Sequence, residues 1–186
     1  MQAFSIQLIP AGAQDQGFLQ ALHASTRADE VRLWAWDEAQ TQAFLAQQFM
    51  AQQMGYRHRF GAEHDRIVHV DGTAVGRLFV APVQGALQVV DIALLPAHRG
   101  RGIGTQLLRQ VLQTAAGQGQ SVRLAVLHGN PARHLYERLG FAVTSQDELY
   151  VDLTWGDATL ATLEAKGARA KAPVSPASTG NCHATS

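Results

Sequence analysis

A chain of 186 residues with 46% hydrophobic content is long enough for one ordinary domain with a proper core and too short for two. Its 15 basic and 15 acidic residues cancel, so composition gives no basis for a nucleic-acid or membrane partner. The lone cysteine, Cys182, excludes an intrachain disulfide, and together with the absence of any apolar run near the roughly 20 residues of a membrane span it predicts a cytoplasmic protein.

The opening MQAFSIQLIPAGAQDQ lacks a basic n-region and is not expected to act as a secretory signal. Phe4, Ile6 and Leu8 alternate with polar neighbours and predict a first strand over residues 4–9, closed by Pro10. Asp15 is placed to cap a short helix that presents Phe18, Leu19 and Leu22 and ends at Arg27. After the stretch RLWAW, with Trp34 and Trp36, Asp37 and Gln40 form a capping box. The second helix that it starts carries Phe44, Leu45, Phe49, Met50 and Met54 as its apolar residues. From Arg66 a run of strands begins. Asp71-Gly72 predicts a two-residue hairpin, and Gln84-Gly85 turns the chain into the next strand.

Residues 87–112 read LQVVDIALLPAHRGRGIGTQLLRQVL, in which an apolar strand ends at Pro96, a glycine loop follows, and the apolar period becomes helical. Leu107, Leu108, Val111, Leu112, Ala115 and Ala116 make the helix over about residues 102–116 amphipathic. A strand is expected over residues 122–127. Residues 130–141, NPARHLYERLGF, then predict a helix opened by Asn130 and Pro131 and ended by Gly140, with Ala132, Leu135, Tyr136 and Leu139 on one face. Residues 141–143 and 148–155 read as a closing hairpin. The pattern is α/β with a mixed, mostly antiparallel sheet in one domain over residues 1–156, followed by a low-complexity tail, residues 157–186, expected to be disordered from about Ala172.

Chemistry concentrates in the glycine loop. Gly100, Gly102 and Gly104 free the backbone of Cβ atoms as it enters a helix whose first N–H groups lack intrahelical partners. With the helix dipole and the guanidinium groups of Arg99 and Arg101, those donors suit a phosphate-bearing ligand. A nucleotide-triphosphate loop would end in Gly-Lys-Ser/Thr, and a dinucleotide loop would have G-x-G-x-x-G spacing with a later acid; neither is present. What remains is R-x-x-G-x-G, written by Arg99, Gly102 and Gly104. None of the eight histidines forms an H-x-x-x-H or H-E-x-x-H spacing, so no metal is expected.

The R-x-x-G-x-G loop resembles the pyrophosphate loop of the GNAT superfamily of acyl-coenzyme A N-acyltransferases. Residues 130–141 are similar to that superfamily's N-P-A-x-x-L-Y-x-x-x-G-F signature at every position. Together the two motifs cover residues 87–141, with a looser likeness over residues 7–155. The resemblance implies a sheet that splays between its fourth and fifth strands, about four flanking helices, and acetyl-coenzyme A (acetyl-CoA) as co-substrate. It implies that the main chain of Arg101, Gly102, Ile103 and Gly104, beside Arg99 and Gly100, cradles the pyrophosphate. Main-chain groups of Ile92 and Leu94 are expected beside the pantetheine arm, with the Leu94 N–H polarising the thioester carbonyl. Asn130 is expected to contact that arm as well as cap its helix.

Tyr136 is the expected general acid, because a phenol with a reference pKa of about 10 is protonated at neutral pH and can donate to the departing thiolate. The base is open. Some members carry a glutamate where this chain has Gln88, and the nearest carboxylate is Asp91, which strict alternation puts on the face of Leu87 and Val89. Asp91 is structural or catalytic on that reading, with His128, His134 and a water chain as the other candidates. By the resemblance Trp34 and Trp36 line the acceptor side; the alternative is that they cover the core or staple the second helix. The implied acceptor is a small-molecule or protein amine, acetylated directly because Cys182 lies in the tail. The resemblance also admits a homodimer. The competing reading is a catalytically silent acyl-CoA sensor or scaffold.

Overall fold

The computed structural model describes residues 5–31 and 36–156. Trp34 and the segment 157–186, with Cys182, lie outside the described residues. The described strands are β1 (Ile6–Pro10), β2 (Asp65–Val70), β3 (Thr73–Val83), β4 (Ala86–Leu94), β5 (Ser121–Leu127), β6 (Ala142–Gln146) and β7 (Tyr150–Trp155). They form one sheet in the order β1-β2-β3-β4-β5-β7-β6, in which β4 and β5 run parallel and every other pair is antiparallel. The helices are α1 (Gln16–Thr26), the short α2 (Ala28–Val31), α3 (Glu38–Phe60), α4 (Ile103–Gly117) and α5 (Ala132–Arg138).

Local chemistry sets most of these boundaries. The Asp37 carboxylate accepts from the Gln40 N–H at 2.8 Å while Gln40 Oε1 accepts from the Asp37 N–H at 3.2 Å, which is the capping box that starts α3. Asp71 and Gly72 take φ of 50° and 82°, the left-handed pair that a two-residue hairpin between β2 and β3 requires. Asp15 departs from expectation. Its carboxylate accepts from the Gly12 N–H at 2.8 Å and closes a single turn over Ala13–Asp15, and it makes no side-chain cap on α1.

The main core lies between the sheet and helices α4 and α5, where Leu107, Leu108, Ile103 and Leu135 meet Leu78, Val122, Leu124 and Leu153. Helices α1 and α3 cover the opposite face, with Leu19 and Phe49 packed on Ile67. Here the apolar reading of α3 needs correction. Met50 and Met54 are exposed, and the buried face holds Leu45, Phe49, Gln52 and Gln53. The glutamines point inward because charged and polar partners await them there: Gln53 Oε1 accepts from Arg77 Nη2 at 2.9 Å.

His23 of α1 packs against Phe49 on the same face, with ring centroids 5.8 Å apart. Burial, then the nearby charges of Arg27 and Arg77, depress its pKa from 6.5 to about 4, with Gln52 pulling weakly the other way. The unfolded ring takes up a proton below pH 6.5 that the folded ring refuses, so stability is full above that pH and falls as the pH drops toward 4. After discounting for solvent screening the loss is about 2 kcal/mol. Urea unfolding from about pH 7 to about pH 4.5 should show it, and a His23→Asn variant should lose this part of the slope. Identical slopes for the two proteins would contradict the assignment.

Two irregularities shape β4. The pairs Phe79↔Asp91 and Val80↔Val89 leave Val90 as an extra residue, a bulge. Past it the alternation reverses: Leu87 and Val89 face the α4 core and so do Ile92 and Leu94, while Asp91 turns to the α3 face beside Arg77 and Phe79. Strict alternation therefore put Asp91 on the wrong face. The second irregularity is a close approach at Gly76, where an added Cβ would stand 2.3 Å from the Ala93 carbonyl oxygen and 2.6 Å from Leu94 Cδ2. Gly76→Ala should cost about 1–3 kcal/mol, read as a lower urea midpoint, because backbone rather than a flexible side chain must give way. An unchanged midpoint would refute that.

Candidate active site

The parallel pair is short. β4 and β5 pair only through Ala86↔Ser121, Leu87↔Val122 and Gln88↔Arg123, and beyond Gln88 they diverge. The gap is a narrow cleft walled by Val89 to Ile92 of β4, Leu124 to Val126 of β5, and Asn130 and Tyr136.

Main-chain direction follows from register. Antiparallel pairing turns alternate residues toward alternate neighbours. The Leu95 N–H donates to the Val75 carbonyl at 2.8 Å, so Leu94, and Ile92 two residues earlier, turn their main-chain groups away from β3 and toward the gap. The Leu94 carbonyl accepts from Arg99 Nε at 2.9 Å. Arg99 Nη2 also reaches the Ser25 carbonyl at 3.4 Å, so donors of this guanidinium are engaged with main chain and tie the end of α1 to the end of β4.

The glycine loop follows the end of β4. Gly100 and Gly102 adopt φ of 69° and 82°, and Gly102 precedes α4 with no side-chain cap. The first bond of the helix runs from the Gln106 N–H to the Gly102 carbonyl at 3.0 Å, so the amides of residues 102–105 have no acceptor within the helix. Arg101 and Gly102 are exposed, whereas Ile103 and Gly104 are buried against the sheet. An uncapped helix end, left-handed glycines and an exposed arginine fit a pyrophosphate.

Tyr136 is 4% exposed and stands edge-on to Phe141 with ring centroids 5.8 Å apart, on the α4 side of the cleft. Asn130 is buried, and its Oδ1 accepts from the Ala132 N–H at 2.9 Å, which caps α5 from one residue further out than Pro131. Asp91 lies across the sheet from Tyr136, with Oδ2 held by Arg77 Nη1 at 3.1 Å. Gln88 donates from Nε2 to the Val89 carbonyl at 3.3 Å. His128 Nε2 pairs with the Asp147 carbonyl at 2.8 Å, and His134 sits on the outer surface of α5, 3.7 Å from Glu137. Trp36 is 47% exposed and edge-on to Phe44, in keeping with a staple on α3.

The Asp147 carboxylate accepts from the N–H groups of Leu149 and Tyr150 and shapes the β6–β7 turn. Burial and then the Asp147 charge raise the Tyr150 pKa, while Arg27 at the end of α1 lowers it, so the α1 end and the β7 start share one electrostatic environment. Sequence reasoning passed over Arg77 and Asp65, although Arg77 is the one charged residue of β3 and Asp91 that of β4. Those charges inside apolar strands were the available signal.

The chain is similar to known proteins. The model of the acetyltransferase (GNAT) family matches residues 20–141. Streptothricin acetyltransferase of Streptomyces lavendulae is 41% identical over 63 residues, a stretch covering 33% of this chain and 33% of that protein. Thialysine N-epsilon-acetyltransferase of Mus musculus is 42% identical over 60 residues, covering 31% of this chain and 35% of that protein. Each match thus spans about a third of the relative's length. Among solved structures, the PaiA N-acetyltransferase of Thermoplasma acidophilum, in complex with coenzyme A, superposes with a TM-score of 0.61 at 15% identity, covering 82% of this chain and 99% of that one, and so shares the fold. The family match across the splayed strands, the glycine loop and α5 shows that the chain belongs to the GNAT family of acetyltransferases.

Proposed function

We propose that the protein transfers an acetyl group from acetyl-CoA directly to a primary amine of a small molecule or a protein. The observation that carries this reading is the divergence of β4 from β5 after Gln88, which opens a cleft between Ile92 and Tyr136, on a strand whose following loop carries the uncapped start of α4. On this reading the amides of residues 102–105, with Gly100 and Arg101, hold the pyrophosphate, and Arg99 braces the loop from behind. The Ile92 and Leu94 main chain aligns the pantetheine arm as an added strand would, and the Leu94 N–H stabilises the oxyanion of the thioester carbonyl. Asn130 completes the wall beside that arm.

The amine nitrogen forms its bond to the carbonyl carbon as the carbon–sulfur bond breaks, and Tyr136 gives the thiolate a proton. Asp91 is on the opposite face of the sheet from Tyr136, so an acceptor arriving from the α3 side meets this carboxylate first, and Asp91 orients the amine or the water that takes its proton. The two relatives, a streptothricin acetyltransferase and a thialysine N-epsilon-acetyltransferase, support an amine acceptor.

The test is thiol release from acetyl-CoA by the full chain against a panel of alkylamines, lysine-containing peptides and peptides with free amino termini. Release with one class supports acetyl transfer and names the acceptor. Binding of acetyl-CoA without release from any acceptor favours the silent module, for which Gln88 in place of a glutamate is the supporting feature.

A further inference from the structure

Behind the cleft, on the α3 face, sits a buried guanidinium with an unusual number of partners. Arg77 is 2% exposed. Its Nε and Nη2 donate to the two oxygens of Asp65 at 2.8 Å each, Nη2 donates again to Gln53 Oε1 at 2.9 Å, and Nη1 donates to Asp91 Oδ2 at 3.1 Å. The rings of Tyr56 and Phe79 lie 5.5 Å and 5.4 Å from the guanidinium carbon. One side chain of β3 therefore joins β2, β4 and α3. Burial opposes its charge, and the hydrogen bonds to Asp65 with the charges of Asp91 and Asp65 more than offset that, so the group stays cationic.

Apolar residues would glue the same elements together at lower desolvation cost, so the cluster calls for a reason beyond cohesion. Its location supplies one. Asp91 is the residue directly after the Val90 bulge and directly before Ile92, and from it to Leu94 the strand is laddered to β3 alone. On the β5 side the strand has no ladder at all beyond Gln88. The Nη1 bond from Arg77 is thus a side-chain anchor beside the bulge, on a stretch that pairs on one side only.

We infer that Arg77 is a positioning residue of the acetyl-transfer reaction, acting through Asp91 to fix both the acceptor-side carboxylate and the Ile92–Leu94 edge. The inference rests on the function proposed above. Asp65 and Gln53 set the guanidinium in place, and Arg77 hands that rigidity to β4. Misplacement of a reacting group by about 1 Å costs up to about 100-fold in rate, so the anchor matters to turnover far more than to donor affinity. The hydrogen bonds of Arg77 go to Asp65, Gln53 and Asp91 and to no residue of the glycine loop.

Arg77→Lys tests this, since it keeps the charge but lacks the fork that reaches Asp65 and Asp91 together. With full-length protein, acetyl-CoA affinity by calorimetry and KM for acetyl-CoA should stay within about threefold, while kcat falls about 10- to 100-fold. In an Asp91→Asn background the same substitution should change kcat by less than about threefold, because both act through one carboxylate. Full kcat in Arg77→Lys, or a loss that adds undiminished to that of Asp91→Asn, overturns the inference. If Arg77→Lys does not fold, Gln53→Met, which removes only the α3 anchor, enters the same cycle with an expected kcat loss of about threefold to tenfold, and additivity there overturns it equally. Wild-type protein in the same assay separates the two levels: no thiol release overturns the proposed function and this inference with it, whereas normal wild-type release with unaffected variants overturns the inference alone.

Discussion

Tyr136→Phe should lower kcat by about 100- to 10,000-fold, the range for a lost general acid, and leave the fold intact. The ring is buried at 4% exposure and packs edge-on against Phe141, and phenylalanine keeps that contact. Only the hydroxyl is lost, on the wall of the cleft, where the proposed mechanism has it protonate the departing thiolate. Acetyl-CoA affinity should stay within about threefold, because the loop and the β4 edge are untouched. The comparison should be made by rapid-mixing thiol release, where chemistry limits the rate. Equal rates for wild type and variant under those conditions would remove Tyr136 from the mechanism.

Gly102→Val should weaken acetyl-CoA binding by about 10- to 100-fold. Gly102 holds φ at 82° immediately before α4, and a β-branched residue in that left-handed region costs about 1–3 kcal/mol. An added Cβ meets nothing within 4 Å, so the effect comes from backbone strain and not from a clash. The loop relieves the strain by leaving the conformation that directs the amides of residues 102–105 outward, and at about 1.4 kcal/mol per decade the strain converts to the stated loss of affinity. The thermal midpoint should change little by comparison, since the residue is exposed. Wild-type affinity in Gly102→Val would mean that these amides do not hold the donor.

Features that depend on a few adjacent residues were legible in the sequence. The Asp37 and Gln40 box, the Asp71-Gly72 hairpin and the glycine loop are each fixed by main-chain donors or by positive φ over two to five residues, and each stands in the structure where it was expected. Features set by tertiary partners were not. Gln53 is buried in α3 because the guanidinium of Arg77 lies beneath the helix, and Gln52 because it meets His23, so a hydrophobic period alone sends Met50 and Met54 inward in error. The Val90 bulge is invisible in the run Val89, Val90, Asp91, Ile92, where every residue but one is β-branched and strand-forming. That one extra residue reverses the face of Asp91 and brings it to Arg77. Asp65, Arg77 and Asp91 meet only because the register of three strands aligns them, across 12 and 14 positions of chain.

The central claim is that the gap between β4 and β5, together with the glycine loop that follows β4, is an acyl-CoA site. Calorimetric titration of acetyl-CoA into the full chain tests it most directly. The account predicts saturable binding at one site per chain with micromolar affinity. An absence of saturable binding up to millimolar acetyl-CoA would contradict it, and with it every role assigned to the loop, the β4 edge and Tyr136.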